Sequence, residues 1–159
     1  IKQGKFSHTY PERFWPRYAS ATDDPNDRPI GPDGSNRGIR YRYGDLADLV
    51  RPLKTRLYTR QAYLPIWFPE DTGAHHKERV PCSLGYHFLN REGGMKIVYY
   101  MRSCDFIRYF RDDVYMAGRL LQWVCDQIGS KPSRLVMYIS SLHIFQNDLI
   151  IMKNRGDVP

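Results

Sequence analysis

Apolar and polar positions follow two periods along the chain, and each change of period marks an element. From Asp45, the apolar residues Leu46, Leu49, Val50 and Leu53 recur at helical spacing, which predicts a helix that Pro52 should kink or shorten. AYLPIWF (62–68) reads as a strand with a proline irregularity. CSLGYHFLN and MKIVYYMRS are two strand-like runs around Arg91-Glu92-Gly93-Gly94, which predicts a hairpin. Asp112 or Asp113 is placed to cap a helix with core face Val114, Ala117, Leu121, Val124 and Ile128, ended by Gly129 and Pro132. RLVMYISSLHIF (134–145) is rich in β-formers and predicts one last long strand. SATDDPNDRPIGPDGSNRG (20–38) and PEDTGAHHKER (69–79) read as polar surface loops. There are no internal repeats. The sum is an α+β fold, a sheet covered on one side by a long helix.

Composition narrows the class. A chain of 159 residues, 42% apolar and 26% charged, suits a single domain (1–159) with a real core and excludes a disordered or fibrous protein. No apolar run approaches the ~20 residues that cross a bilayer, and IKQGKFSHTY at the start lacks the apolar centre of a secretory signal. Cys82, Cys104 and Cys125 have no metal-ligand spacing, and pairing two would leave an odd thiol, so a reduced, cytoplasmic setting is expected. The start at Ile1 and the stop at Pro159, soon after a strand-like run, lead us to expect a piece of a longer protein.

The net charge of +7, from 24 Lys and Arg against 17 Asp and Glu, favours an anionic partner: a nucleic acid or a phosphorylated small molecule. The arginines are scattered singly (Arg40, Arg42, Arg51, Arg56, Arg60, Arg102), and each offers a planar fork suited to phosphate. No basic stripe interleaves with aromatics on one face, and Tyr99, Tyr100, Trp123 and Tyr138 fall where core packing is expected. Nucleic acid is therefore the weaker choice.

The stretch RVPCSLGYHFLNREGG (79–94) poses the chemical question. Alone, Cys82 is best taken as a small core residue, because free cysteines are among the most buried types. Four landmarks change that: TRQAYLPIW, VPCS, RSCD and LHIF, in that order. Together they give the chain a pattern that resembles the thymidylate synthase family, including its relatives that hydroxymethylate cytidine nucleotides, from about Tyr10 to Asp148. The resemblance implies a thymidylate-synthase-like mixed sheet covered by a long helix, truncated at both ends, and a homodimer.

It also implies a chemistry. C5 of a pyrimidine is a poor nucleophile until a thiolate adds to C6 and turns the ring into an enolate or enamine. In the family, 5,10-methylenetetrahydrofolate then supplies the carbon. Cys82 stands at the nucleophile position, and Arg102 at that of the arginine that holds the nucleotide phosphate and would lower the thiol pKa. Ser103 matches a second phosphate contact. Asp105 matches the aspartate that orients the folate and ring, its alternative being a structural hydrogen bond at a strand end. Arg60 matches one of two adjacent arginines that reach into the partner subunit's phosphate site; Gln61 fills the second position, which weakens that grip or moves it to a residue such as Arg56. His143 matches a residue that bonds the sugar hydroxyl. Phe145 replaces the family's tyrosine, which leaves deoxyribose or ribose open.

The family's uracil-reading asparagine falls on Asp113. An asparagine amide donates to uracil O4 and accepts from N3–H, whereas cytosine presents an amino donor and an acceptor N3. A carboxyl at Asp113 therefore points to a cytidine monophosphate, with Asp112 free to cap the helix. Ser83 stands where the synthases usually carry histidine, and resemblance to the cytidylate enzymes favours hydroxymethylation over methylation. The family's general-acid/base glutamate has no match ahead of Tyr10, Glu12 lying too close. Two rival functions stay open: a dUMP-methylating synthase, and a silent nucleotide-binding domain.

Overall fold

The computed structural model describes residues 10–14, 46–72 and 79–158. The predicted loop over 20–38 lies outside these, as does most of the loop over 69–79. The α+β class is as expected. Four strands make the main sheet: β1 (Tyr63–Pro65), β2 (Ser83–Arg91), β3 (Gly94–Met101) and β5 (Pro132–Ile139), in spatial order β1-β2-β3-β5. The first two pairings are antiparallel and the last is parallel. A parallel neighbour needs a long crossover, supplied by α4 (Phe110–Ile128). β4 (Cys104–Asp105) and β6 (Leu142–His143) form a separate parallel pair. The remaining helices are α1 (Tyr10–Phe14), α2 (Leu46–Thr55), α3 (Pro69–Thr72, one turn) and α5 (Gln146–Arg155).

The hairpin forms with Glu92 and Gly93 as its turn, and Gly94 follows at φ +106°. In register, Tyr86 faces Tyr99 and Phe88 faces Ile97, and all four side chains are fully buried. They pack beneath Leu46, Leu49 and Leu53 of α2 and Ala117, Leu121 and Val124 of α4. Each leucine, isoleucine, valine or phenylalanine among them contributes roughly 1.5–3 kcal/mol on removal from water. α2 continues three residues past Pro52 to Thr55, with Leu53 fully buried in its last turn. Core contact there outweighs the lost proline hydrogen bond.

Four expectations need correction. The long helix starts at Phe110 with Tyr109 at its N-cap and no side-chain cap bond, so neither Asp112 nor Asp113 caps it; both lie in its first turn. There their charge still complements the helix dipole. The apolar run 134–145 is not one strand: it bends at Ser140-Ser141, β6 leaves to pair with β4, and Gln146 opens a helix that the pattern did not show. Trp123 and Tyr138 are exposed, on the outer side of α4 and on the edge strand β5. AYLPIWF contributes only Tyr63–Pro65 as strand, since the chain turns away after the proline.

Candidate active site

The site forms where β2 begins. β2 and β3 pair Ser83 with Met101 but Gly85 with Tyr100, so Leu84 is an extra residue in a bulge. Bulges re-aim side chains and are common beside active sites. The Leu84 carbonyl accepts from the amides of Ile66 (3.0 Å) and Trp67 (3.1 Å), which ties the bulge to the segment after β1. That segment is held in turn by buried Arg13 of α1, which donates to the Ile66 carbonyl (2.7 Å) and to both carboxylate oxygens of Asp71 (2.7 and 2.9 Å). Gly85 is required here: a Cβ would lie 2.6 Å from Cζ of Tyr63 and 2.7 Å from the Leu64 carbonyl oxygen.

Cys82 precedes the bulge and is an exposed, free thiol, unlike buried Cys104 and Cys125. It lies within electrostatic reach of Tyr10 and Cys104. Next to it Ser83 points inward, fully buried, and its hydroxyl lies against those of Tyr10 (2.7 Å) and Tyr99, with one proton to donate to one of them. Both phenols donate to Oδ1 of Asp113 at 3.3 Å, and the Cys104 thiol donates weakly to Oδ2 at 3.6 Å. Asp113 thus lies on the buried side of the hydroxyl cluster that Ser83, the neighbour of Cys82, joins. Burial raises its carboxyl above the ordinary range, against the pull of these three donors. Burial also pushes the Tyr10 hydroxyl up to about 12 and, with the charge of Asp113, the Cys104 thiol up to about 12. Tyr86, stacked on Tyr99 at 4.3 Å, keeps its hydroxyl buried with no hydrogen bond among the described residues.

The other predicted residues lie around this centre. Arg102 is exposed, and its Nε and Nη2 donate to the carbonyls of Pro81 (3.0 Å) and Val80 (3.4 Å); its amide donates to the Cys82 carbonyl (2.9 Å) and its guanidinium lies over Trp67. It clamps the Cys82 loop from below. Ser103 is half-buried in the link between β3 and β4. Asp105 is buried; its Oδ1 accepts from the amides of Ile107 and Arg108, both at 3.1 Å, and so shapes the turn into α4. Its Oδ2 is buried without a hydrogen bond among the described residues, though Arg108 Nε lies 3.6 Å away. His143 pairs beside Asp105 through β4 and β6, with its Nδ1 3.4 Å from the Ser141 carbonyl. Arg60 is not brought to the cluster: its carbonyl meets His87, five residues along β2 from Cys82, about 16 Å at strand rise.

Sequence reasoning set Tyr99 among core packers and gave Tyr10 no role. Tyr99 does share the inward parity of Ile97 and Met101, but a buried tyrosine hydroxyl needs a partner, and that was the missed signal. A second signal separates the two aspartates. Asp113, Ala117, Leu120 and Val124 lie at spacings of four, three and four, one inward stripe, and all are buried, whereas the Asp112 side chain is 62% exposed.

Comparison with known proteins bears on the family. A family model described as thymidylate synthase matches residues 11–155. The chain is similar to a putative thymidylate synthase of Methanosarcina barkeri, 28% identical over 107 residues, covering 67% of this chain and 48% of that protein. It is similar to a thymidylate synthase of Sphingopyxis alaskensis, 26% identical over 142 residues (89% and 42%), and to one of Rhodopseudomonas palustris, 25% over 121 residues (76% and 38%). The chain therefore spans less than half the length of these relatives. With the match running through nearly all of its described elements, the chain belongs to the thymidylate synthase family.

Proposed function

We propose that this protein transfers a one-carbon unit to C5 of a cytidine monophosphate, hydroxymethylating it through a covalent adduct between Cys82 and C6. The observation that carries this is the pairing of an exposed thiol, Cys82, with a buried carboxyl, Asp113, across one cluster of hydroxyls. The Cys82 thiolate adds to C6 and forms the S–C6 bond, which makes C5 nucleophilic. C5 takes the carbon, which parts from its donor nitrogen, and C5 loses its proton; water adds to the exocyclic methylene so formed to give the hydroxymethyl group, and breaking S–C6 releases the thiolate. Asp113 accepts a hydrogen bond from the 4-amino group, a contact uracil cannot offer. Ser103 and Arg102 bind the phosphate from the β3–β4 link, with Arg102 also fixing the loop of Cys82, and His143 binds the sugar.

Methylenetetrahydrofolate supplies, when bound, a carbon at the oxidation level of formaldehyde. The residues fit such a group: Asp105 Oδ2 is a buried acceptor without a hydrogen bond among the described residues, suited to the N–H edge of a pterin. The Tyr86 hydroxyl, buried without a hydrogen bond among the described residues, supports hydration over methylation, because it is a polar group that can help hold an ordered water. In a homodimer, Arg60 would serve the partner's phosphate site.

Tritium release from C5-labelled CMP, dCMP and dUMP, with and without methylenetetrahydrofolate, tests the proposal. Folate-dependent release from a cytidylate is expected, and it should vanish in Cys82→Ala. Release from dUMP alone would assign methylation of uridylate instead. A folded protein that releases nothing from any of the three would be a silent binding domain or a chain missing its catalytic ends, which the longer gene product would separate.

A further inference from the structure

The hydroxyl cluster does more than fill space, because it is not symmetric about the Asp113 carboxyl. Oδ1 receives two O–H donors, from Tyr10 on α1 and Tyr99 on β3, each at 3.3 Å. Oδ2 receives only a thiol, and Cys104 Sγ divides its weak donor between Oδ2 (3.6 Å) and the Asp105 carbonyl (3.8 Å). An ionised carboxylate has about four lone-pair sites. Those of Oδ1 are taken, and those of Oδ2 are largely open.

We propose that Tyr99 is a positioning residue that determines base specificity: its hydroxyl, beside those of Ser83 and Tyr10, donates to Oδ1 of Asp113 and leaves Oδ2 to read the base as an ionised acceptor. The inference rests on the assignment of Asp113 as base reader above. A proton on this carboxyl has its place on Oδ2, since Oδ1 already faces two donors. Ionised Oδ2 accepts from the 4-amino group of cytosine, whereas protonated Oδ2–H donates to O4 of uracil. The protonation state of one oxygen then chooses the base. Burial opposes the ionised form, and hydrogen bonds from Cys104, Tyr99 and Tyr10 favour it.

The groups around Asp113 bear on that balance. Tyr10 of α1, Tyr86 of β2 and Tyr99 of β3 have their hydroxyls raised by burial, so they remain protonated donors at any working pH. Cys104 of β4 stays a thiol for the same reason, and Asp112, beside it on α4, adds a negative charge that opposes ionisation.

The test is the affinity of CMP and UMP, or of their deoxy forms, for wild-type protein and Tyr99→Phe, by titration calorimetry from pH 5.5 to 8.5. The phenylalanine keeps the ring stacked on Tyr86, and circular dichroism checks the fold. In the wild type, the preference for cytidylate over uridylate should rise with pH as Asp113 ionises. In Tyr99→Phe that preference should fall about tenfold at pH 7, as expected for one lost hydrogen bond to a charged group, and should recover only at higher pH. Wild-type preference for cytidylate with an unchanged ratio in folded Tyr99→Phe at every pH would overturn the role of Tyr99 alone. A wild type without cytidylate preference would overturn the base-reading assignment and this role with it. If Tyr99→Phe does not fold, Tyr10→Phe takes its place: it removes the other O–H donor to Oδ1, the preference should fall in the same way, and an unchanged ratio there overturns the proposal.

Discussion

Asp113 is a charge on the inward stripe of a helix, a position that ordinarily takes leucine or alanine. It is tolerated because two phenols and a thiol meet it, and because it lies in the first turn of α4, where the helix dipole favours an anion. Burial still dominates, so its folded pKa lies above its unfolded one. A raised carboxylate pKa means that the folded state holds the proton more tightly. The stability this provides is full below the unfolded value, near pH 4, and is lost as pH rises through the folded pKa. Asp113→Asn, which cannot ionise, escapes that loss. The melting temperature of the variant relative to wild type should therefore increase from pH 4 to pH 7. A difference that stays flat, or reverses, would show that the phenol donors outweigh burial.

At the scale of elements, the turn between β2 and β3 shows how tightly backbone geometry is fixed. Gly94 adopts φ +106°, and a Cβ there would lie 2.6 Å from the Lys131 carbonyl oxygen, which itself accepts from the Met95 amide at 2.8 Å. Gly94→Ala should cost about 1–3 kcal/mol in backbone strain, with a further penalty for the clash. Gly118, inside α4, has nothing within 4 Å of its would-be Cβ, so Gly118→Ala should instead stabilise by about 1 kcal/mol through helix propensity. Thermal unfolding of the two variants should therefore move in opposite directions. This hairpin and α4 were legible because their signals are local: glycines at the turn and C-cap, and apolar spacing between. The break at Ser140-Ser141 was not, since both halves of that run are apolar and only the pairing of β6 with β4 separates them. α5 was hidden for the same reason, as it buries no residue and so carries no apolar stripe.

Across the whole molecule, the site was legible in part. Cys82 and Asp113 could be proposed from the sequence because their chemistry is distinctive and their order along the chain is shared with a family. The engagement of Arg102 could not, because its acceptors are the backbone carbonyls of Val80 and Pro81, which leave no trace in residue identity. That engagement shapes a last expectation. If the guanidinium nearest Cys82 is partly committed to holding the loop, the general field of the protein must do more to bring in a phosphate. The net charge of +7 supplies such a field. Steering of this kind acts on encounter and not on the bound state, and it is screened over ~10 Å at 0.1 M salt. The association rate of a pyrimidine nucleoside monophosphate, measured by stopped flow, should therefore drop severalfold between about 20 and 300 mM salt, with dissociation little changed. A rise in dissociation with a constant association rate would place the phosphate's partners in direct, exposed ion pairs instead. Arg102 would then leave its carbonyls to hold the nucleotide, loosening the Cys82 loop each time substrate binds.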